Sequence, residues 1–374
     1  MGKHWNRLKP LCAIALDYKA MAVPHVEPLA DIPVPPLIAA LPKADLHLHA
    51  ETDARLDRIL AQRAGRRAYD WRSWAQQLLA ETSPGMPRLT RMGADQRADT
   101  ALVDTLDADP ELFVARIVNI LEEGAADGAV LIEVLFGGQT ILRPDFMRCF
   151  RQAELHVQQR YPHLRAEALI AATQPASAGW LDQLLPACLA MAQEGLAGIH
   201  IIPDPYDTEA DWRPIYRWAE RAAAAGLGLA AHAGEFSSAN IAAALRVPGL
   251  TRIGHAVYAA HDAGLLEELA RSGVTVECNL SCNVVLGAVQ SYADHPVRQF
   301  VTYNIPVTLN TDDPVRVWTT IGREYAIGAA LGFTAEELLS FTRNAIQAAF
   351  VSPMRRAALL QELDAWEAGQ AHGI

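Results

Sequence analysis

The chain has 374 residues, is 51% hydrophobic and carries a formal net charge of −11. That is ample apolar material for a sizeable core, and the acidic balance excludes the broad phosphate-binding surface that a nucleic-acid binder needs. Five cysteines without a CxxC pair do not make a disulfide framework, so they read as buried apolar residues, Cys278 and Cys282 included, and a reducing, cytoplasmic setting is expected.

In chain order, the first segment mixes Lys3, Arg7, Lys9 and Lys19 with one apolar run, Leu11–Leu16, that is too short for a signal-peptide core. Met1 and Met21 are both candidate starts. No stretch approaches the roughly 18 continuous apolar residues of a membrane-spanning helix, so no membrane partner is expected. Residues 1–40, with Pro24, Pro28, Pro33, Pro35 and Pro36, read as an extended lead-in lying on the surface. Residues 41–374 read as one domain.

Within that domain, short apolar runs alternate with Ala- and Leu-rich helical stretches. The runs are Ala44–Leu48, Ala129–Phe136, Ala166–Ala172, Gly198–Ile202, Leu227–Ala231, Thr251–Ile253, Val274–Cys278 and Val307–Leu309. Eight strands with helices between most of them predict parallel β-α units, and eight such units close into a (β/α)8 TIM barrel. An open doubly wound sheet is the alternative; its one glycine-loop candidate, Gly226-x-Gly228-x-x-Ala231, precedes a strand and reads as a turn. Residues 53–128 are too long for a simple connection. Arg55–Arg66, Trp71–Leu79 and Glu111–Glu123 have helical spacing, 81–110 reads as irregular, and this helical insertion after strand 1 is expected to form a lid over the barrel mouth. The tail Arg355–Glu367 reads as a helix that packs on the barrel or meets a second copy in a homodimer.

Four clusters can carry chemistry. In Asp45-Leu46-His47-Leu48-His49, the two histidines share one face of a strand and make a pair of metal ligands. Ala231-His232-Ala233-Gly234-Glu235 ends a strand, and Gly234 permits a sharp turn that brings Glu235 back to the mouth, where desolvation suits it to proton donation. Gly254-His255 and Asn310-Thr311-Asp312-Asp313-Pro314 end two further strands. An adjacent pair of buried aspartates needs a cation or hydrogen-bond donors nearby. Each cluster alone also fits a structural role. Together they converge on the C-terminal face, where active sites of this fold lie, and three imidazoles with a carboxylate suit zinc, with iron, manganese or cobalt as substitutes. His4, His25, His156, His163, His261, His295 and His372 are assigned to surface or packing roles.

With these four motifs in this order, residues 41–350 resemble the adenosine deaminase family. Ser281-x-Asn283 and His295-Pro296 are also similar. The resemblance implies one zinc ion per subunit on His47, His49, His232 and Asp312. His255 would orient a water and accept or stabilise its proton, Glu235 would protonate purine N1, and Asp313 would bond N7 or steer the attacking hydroxide onto C6. The implied reaction is deamination of a 6-aminopurine, adenosine or 2′-deoxyadenosine first, with adenine or a modified adenine nucleoside as the alternative. A purine-binding barrel without activity predicts the loss of a ligand or of the acid, and none is lost. Three positions depart from the family pattern. Glu51 stands where adenosine-acting members place a ribose-binding Asp. Pro203 lacks the amide hydrogen expected to meet purine N3, which leaves His200 as a candidate substrate contact. Asn279 follows Cys278 in place of a proline.

Overall fold

The computed structural model describes residues 28–53, 59, 70–81, 83–94, 107–174 and 178–371. Eight parallel strands form one sheet in sequential order: β1 Lys43–His49, β2 Ala129–Gly137, β3 Arg165–Gln174, β4 Gly198–Pro203, β5 Gly228–Ala233, β6 Leu250–His255, β7 Thr275–Cys278 and β8 Val307–Leu309. All eight predicted strands are present, displaced at their ends by at most a few residues, and helices run between them as a (β/α)8 barrel requires. In β2, Leu131, Ile132, Val134, Leu135 and Phe136 are all buried. Apart from the buried Glu133, this apolar run is what a strand covered on both faces needs.

The helices carry their own start signals. In Pro110–Ala126, Asp109 accepts from Glu111 N and Leu112 N, and proline occupies the first turn, where its missing N–H costs nothing. Its buried face (Leu112, Phe113, Arg116, Ile117, Ile120, Leu121) recurs every three to four residues and packs on the sheet. In Ala335–Ala348, Thr334 and Glu337 form a reciprocal capping box. The C-terminal helix Pro353–Ala371 packs on the barrel through Leu359 and Leu363, and Arg343 ties it down through Asp364 and Glu367.

The barrel closes between β8 and β1. Asp312 N donates to His47 O at 2.8 Å, and His49 N donates to Asp312 O at 2.9 Å. Side chains reinforce this seam: Thr311 Oγ1 donates to Asp45 Oδ2 at 2.5 Å, and Leu46 N donates to Asn310 Oδ1 at 3.0 Å. These contacts give Asp45, Asn310 and Thr311, three residues of the conspicuous clusters, a structural task.

Two expectations for the N-terminal third need correction. Residues 86–94, expected to be irregular, are helical. The lead-in is not simply extended: Pro36–Ala40 is a short helix, and Leu29 is buried in a small apolar cluster with Trp74, Leu78 and Met92. That cluster also holds Cys282, Val285, Leu286 and Val317, so the described part of the insertion packs on segments that follow β7 and β8. Arg88 fixes it there, donating to Val285 O, Leu79 O and Glu81 O. The helix expected at Arg55–Arg66 lies outside the described residues, apart from one position. No helix among the described residues is long and apolar enough to cross a membrane.

Candidate metal centre and active site

β1 points His47 and His49 the same way, and β5 brings His232 against both. His47 Nε2 and His49 Nε2 lie 3.1 and 3.2 Å from His232 Nε2. Asp312 Oδ1 stands 3.7 Å from His47 Nε2 and 3.4 Å from His49 Nε2. One ligand atom from each of the four residues falls within 4.8 Å of the others. The sequence-predicted ligand set is therefore assembled, at spacings that suit a single tetrahedral ion with N and O ligands.

The surroundings fit a cation. Burial pushes the Asp312 carboxyl well above its usual range, and the neighbouring Asp313 and Glu235 carboxyls add to the shift. Three acids this close call for a positive charge among them. Burial likewise holds the His47 and His232 rings well below their ordinary pKa, which leaves neutral imidazoles free to ligate. His47 Nδ1 lies 2.8 Å from Glu277 Oε2, and with Glu277 accepting there, as its contact with Arg252 favours, the Nε2 lone pair faces the other ligands. Behind it, Glu277 Oε1 meets Arg252 Nε at 2.7 Å and Arg252 Nη2 meets Glu133 Oε2 at 2.6 Å, all with fully buried side chains. Burial pushes the Glu277 carboxyl up to about 8, against the pull of Arg252. The sequence marks neither Glu277 nor Arg252: each is the one charged side chain in its short strand apart from the His255 ring, and no local motif singles it out.

Gly254 is required where it stands, since a Cβ there would sit 2.7 Å from His47 Cε1. Gly234, at φ +84°, makes the turn that swings Glu235 inward. Non-glycine residues at φ +69° (His255) and +63° (Asp312) hold left-handed conformations that typically cost about 1–3 kcal/mol and cluster at functional sites.

Glu235 is buried, and burial pushes its carboxyl up to about 8. Its Oε1 accepts from Asn283 Nδ2 at 3.1 Å and its Oε2 from Tyr206 OH at 2.7 Å. Asn283 Nδ2 and Asn279 Nδ2 also lie 3.1 and 3.2 Å from His255 Nδ1. The amide of Asn279 is oriented by Asp312 Oδ2, to which it donates at 3.0 Å, and that of Asn283 by His295 Nε2, 3.2 Å from its Oδ1. Two amide donors at Nδ1 put the imidazole hydrogen of His255 on Nε2. That Nε2 has no hydrogen-bond partner and sits 3.7 Å from Glu235 Oε2 and 3.8 Å from Asp312 Oδ2. Burial holds the His255 ring down to about 3, so it is neutral. Asn279, the residue in the proline position, thus links His255 to a candidate ligand. His295, expected at the surface or in packing, is buried directly behind Asn283.

The remaining predicted residues are placed as follows. Asp313 is buried, with the Cys282 thiol 3.8 Å from its Oδ2. Cys278 and Cys282 are buried free thiols, as expected. Glu51 Oε1 accepts from Gly137 N at 2.8 Å. His200 is fully buried, 4.8 and 4.4 Å between ring centroids from His47 and His232, and neither of its ring nitrogens has a hydrogen-bond partner.

Residues 42–366 match the family model described as adenosine deaminase. The chain belongs to the adenosine deaminase family. An adenine deaminase of Rhizobium leguminosarum bv. trifolii is 42% identical over 141 residues, 37% of this chain and 44% of that protein. An adenosine deaminase of Erwinia tasmaniensis is 37% identical over 147 residues, 39% of this chain and 44% of that protein. The matched segment thus spans less than half the length of either relative. The crystal structure of an adenine deaminase from Arthrobacter aurescens superposes with a TM-score of 0.71 at 24% identity, covering 88% of this chain and all of that one. At that identity the likeness bears on the fold, and this member of the family has the family's barrel.

Proposed function

We propose that the protein is a metal-dependent hydrolase that deaminates a 6-aminopurine and releases ammonia. The observation that carries this reading is the convergence of His47, His49, His232 and Asp312 on one point beside a buried acid, Glu235, and the unpartnered Nε2–H of His255. Three imidazoles and one carboxylate suit zinc, one ion per chain. A divalent ion there lowers the pKa of a water, so that a nucleophile is available near neutral pH.

The chain's own groups account for the rest. His255, neutral and protonated on Nε2, donates to the attacking oxygen and aims it; the two amides on its Nδ1 oppose a second proton, which favours orientation over proton uptake. Glu235 keeps its proton at neutral pH and gives it to ring N1 as the oxygen adds to C6, so the ring accepts the electron pair. The proton lost by the attacking water is relayed by the Asp313 side chain to the amino nitrogen, the C6–N bond breaks and ammonia departs, and the proton of the added hydroxyl returns to Glu235 as the C6 carbonyl forms. Asp313, buried beside Asp312, would bond purine N7 or steer the attacking oxygen. His200, fully buried against the His47 and His232 rings, would support those rings rather than contact a substrate. The insertion that packs on the segments after β7 and β8 is proposed as the cover of this site.

Both nucleoside and free base remain within this chemistry. One observation favours adenine over adenosine and 2′-deoxyadenosine: Glu51, in the position expected to meet ribose, spends one carboxylate oxygen on Gly137 N. The test is ammonia release by zinc-loaded protein from adenosine, 2′-deoxyadenosine and adenine, and methylamine release from N6-methyladenine. Chelator-sensitive release from any of them supports the reading, and no release from all four overturns it.

A further inference from the structure

The loop that follows β4 carries Tyr206, and it is held by one side chain. Asn240, buried beyond β5, donates through Nδ2 to Thr208 O at 2.9 Å, Tyr206 O at 3.2 Å and Pro205 O at 3.4 Å. Its Oδ1 accepts from Ala210 N and Trp212 Nε1, each at 3.0 Å. A carboxamide is the side chain that can donate to carbonyls and accept from N–H groups in this way. The loop is thereby stitched to the segment that carries Glu235, and the Tyr206 phenol lands 2.7 Å from Glu235 Oε2. The Tyr206 ring is seated beside Phe236 and His232, with centroids 6.1 and 6.2 Å away.

The two oxygens of Glu235 are not equivalent. Oε1 is turned toward Asn283, whereas Oε2 lies on the side of His255 Nε2, toward the reacting centre. We propose that Tyr206 is a positioning residue for proton delivery: its hydroxyl aims Glu235 Oε2 at the substrate ring and stabilises the carboxylate left when the proton departs. In that step the Oε2–H bond breaks, the ring N–H bond forms, and Tyr206 O–H···Oε2 changes from a neutral to a charge-assisted hydrogen bond, which is roughly twice as strong. The interaction strengthens along the reaction coordinate, so its loss should act on turnover more than on binding.

This inference rests on the proposed deamination, and its test separates the two. In Tyr206→Phe, kcat on the best purine of the panel should fall about ten- to a hundredfold, the range of one hydrogen bond to a charged group, with KM within about threefold. A kcat within twofold of wild type, or a loss confined to KM, overturns the proposal. Independently of turnover, protein labelled with 13C at tyrosine Cζ reports on the phenol. The Tyr206 resonance, assigned by its absence in Tyr206→Phe, should move in Glu235→Gln, and an unmoved resonance overturns the pairing. A wild type inactive on every purine whose Tyr206 resonance still responds to Glu235 overturns the deamination reading and leaves the pairing standing.

Discussion

The peptide N–H of Asp312 donates to the carbonyl of His47 across 2.8 Å, and the N–H of His49 answers to the carbonyl of Asp312 across 2.9 Å. The barrel closes through the backbones of three of its four candidate ligands. Closure and ligand placement are therefore one event, and the left-handed φ of Asp312 is held by bonds that do not involve its side chain. Asp312→Asn, which tolerates that backbone, should fold with wild-type circular dichroism and lose metal affinity by more than the roughly 10–100-fold that changes outside the ligand set cost. An unfolded variant would show that the carboxylate, not the backbone, closes the seam.

Glu235→Gln removes the proton donor and no candidate ligand. Metal content, read by elemental analysis, should stay at the wild-type level while kcat falls about 10²–10⁴-fold. His232→Ala should lose both metal and turnover. Near-normal rates in Glu235→Gln would remove the acid from the mechanism.

The pH dependence follows from the same group. Its folded pKa, about 8, lies above its ordinary value of 4.5, so the protonated form persists through neutral pH and is lost as pH rises through about 8. Turnover should decline on that alkaline limb. A profile flat to pH 9 would disagree.

Glu277→Gln weakens the acceptor that fixes the His47 tautomer and leaves all four candidate ligand residues in place. Metal affinity, measured by competition with a chromophoric chelator, should drop roughly 10–100-fold. Arg252→Met leaves Glu133 and Glu277 buried without their cationic partner and should destabilise folding by about 3–5 kcal/mol in a denaturant titration.

The fold and the reactive groups were legible because they repeat or cluster. Eight apolar runs between helical stretches are a periodic signal, and HxH, HxxE and Asp-Asp place several polar groups within one turn of chain. What supports them was not legible. Glu277, Arg252, Tyr206 and Asn240 are single residues, brought to the site by register and loop path rather than by local pattern. His295 reads as a surface or packing residue, and its packing partner, Asn283, is not marked by anything near it in sequence. Asn279 stood out as a departure from the family, but its task, donating to His255 and Asp312 together, appears only when β6, β7 and β8 lie side by side. The helix at 86–94 is not legible because its Met, Pro, Arg and Gly content gives weak periodicity, and Arg88 ties it to the distant Val285 carbonyl as well as to those of Leu79 and Glu81.

The most direct test of the central claim is to strip the protein with a chelator, return zinc stepwise, and follow ammonia release from the best purine substrate against bound metal. The account predicts no release from stripped protein and activity that rises linearly to a break at one ion per chain. Deamination that survives complete removal of metal, or that needs two ions per chain, would contradict it.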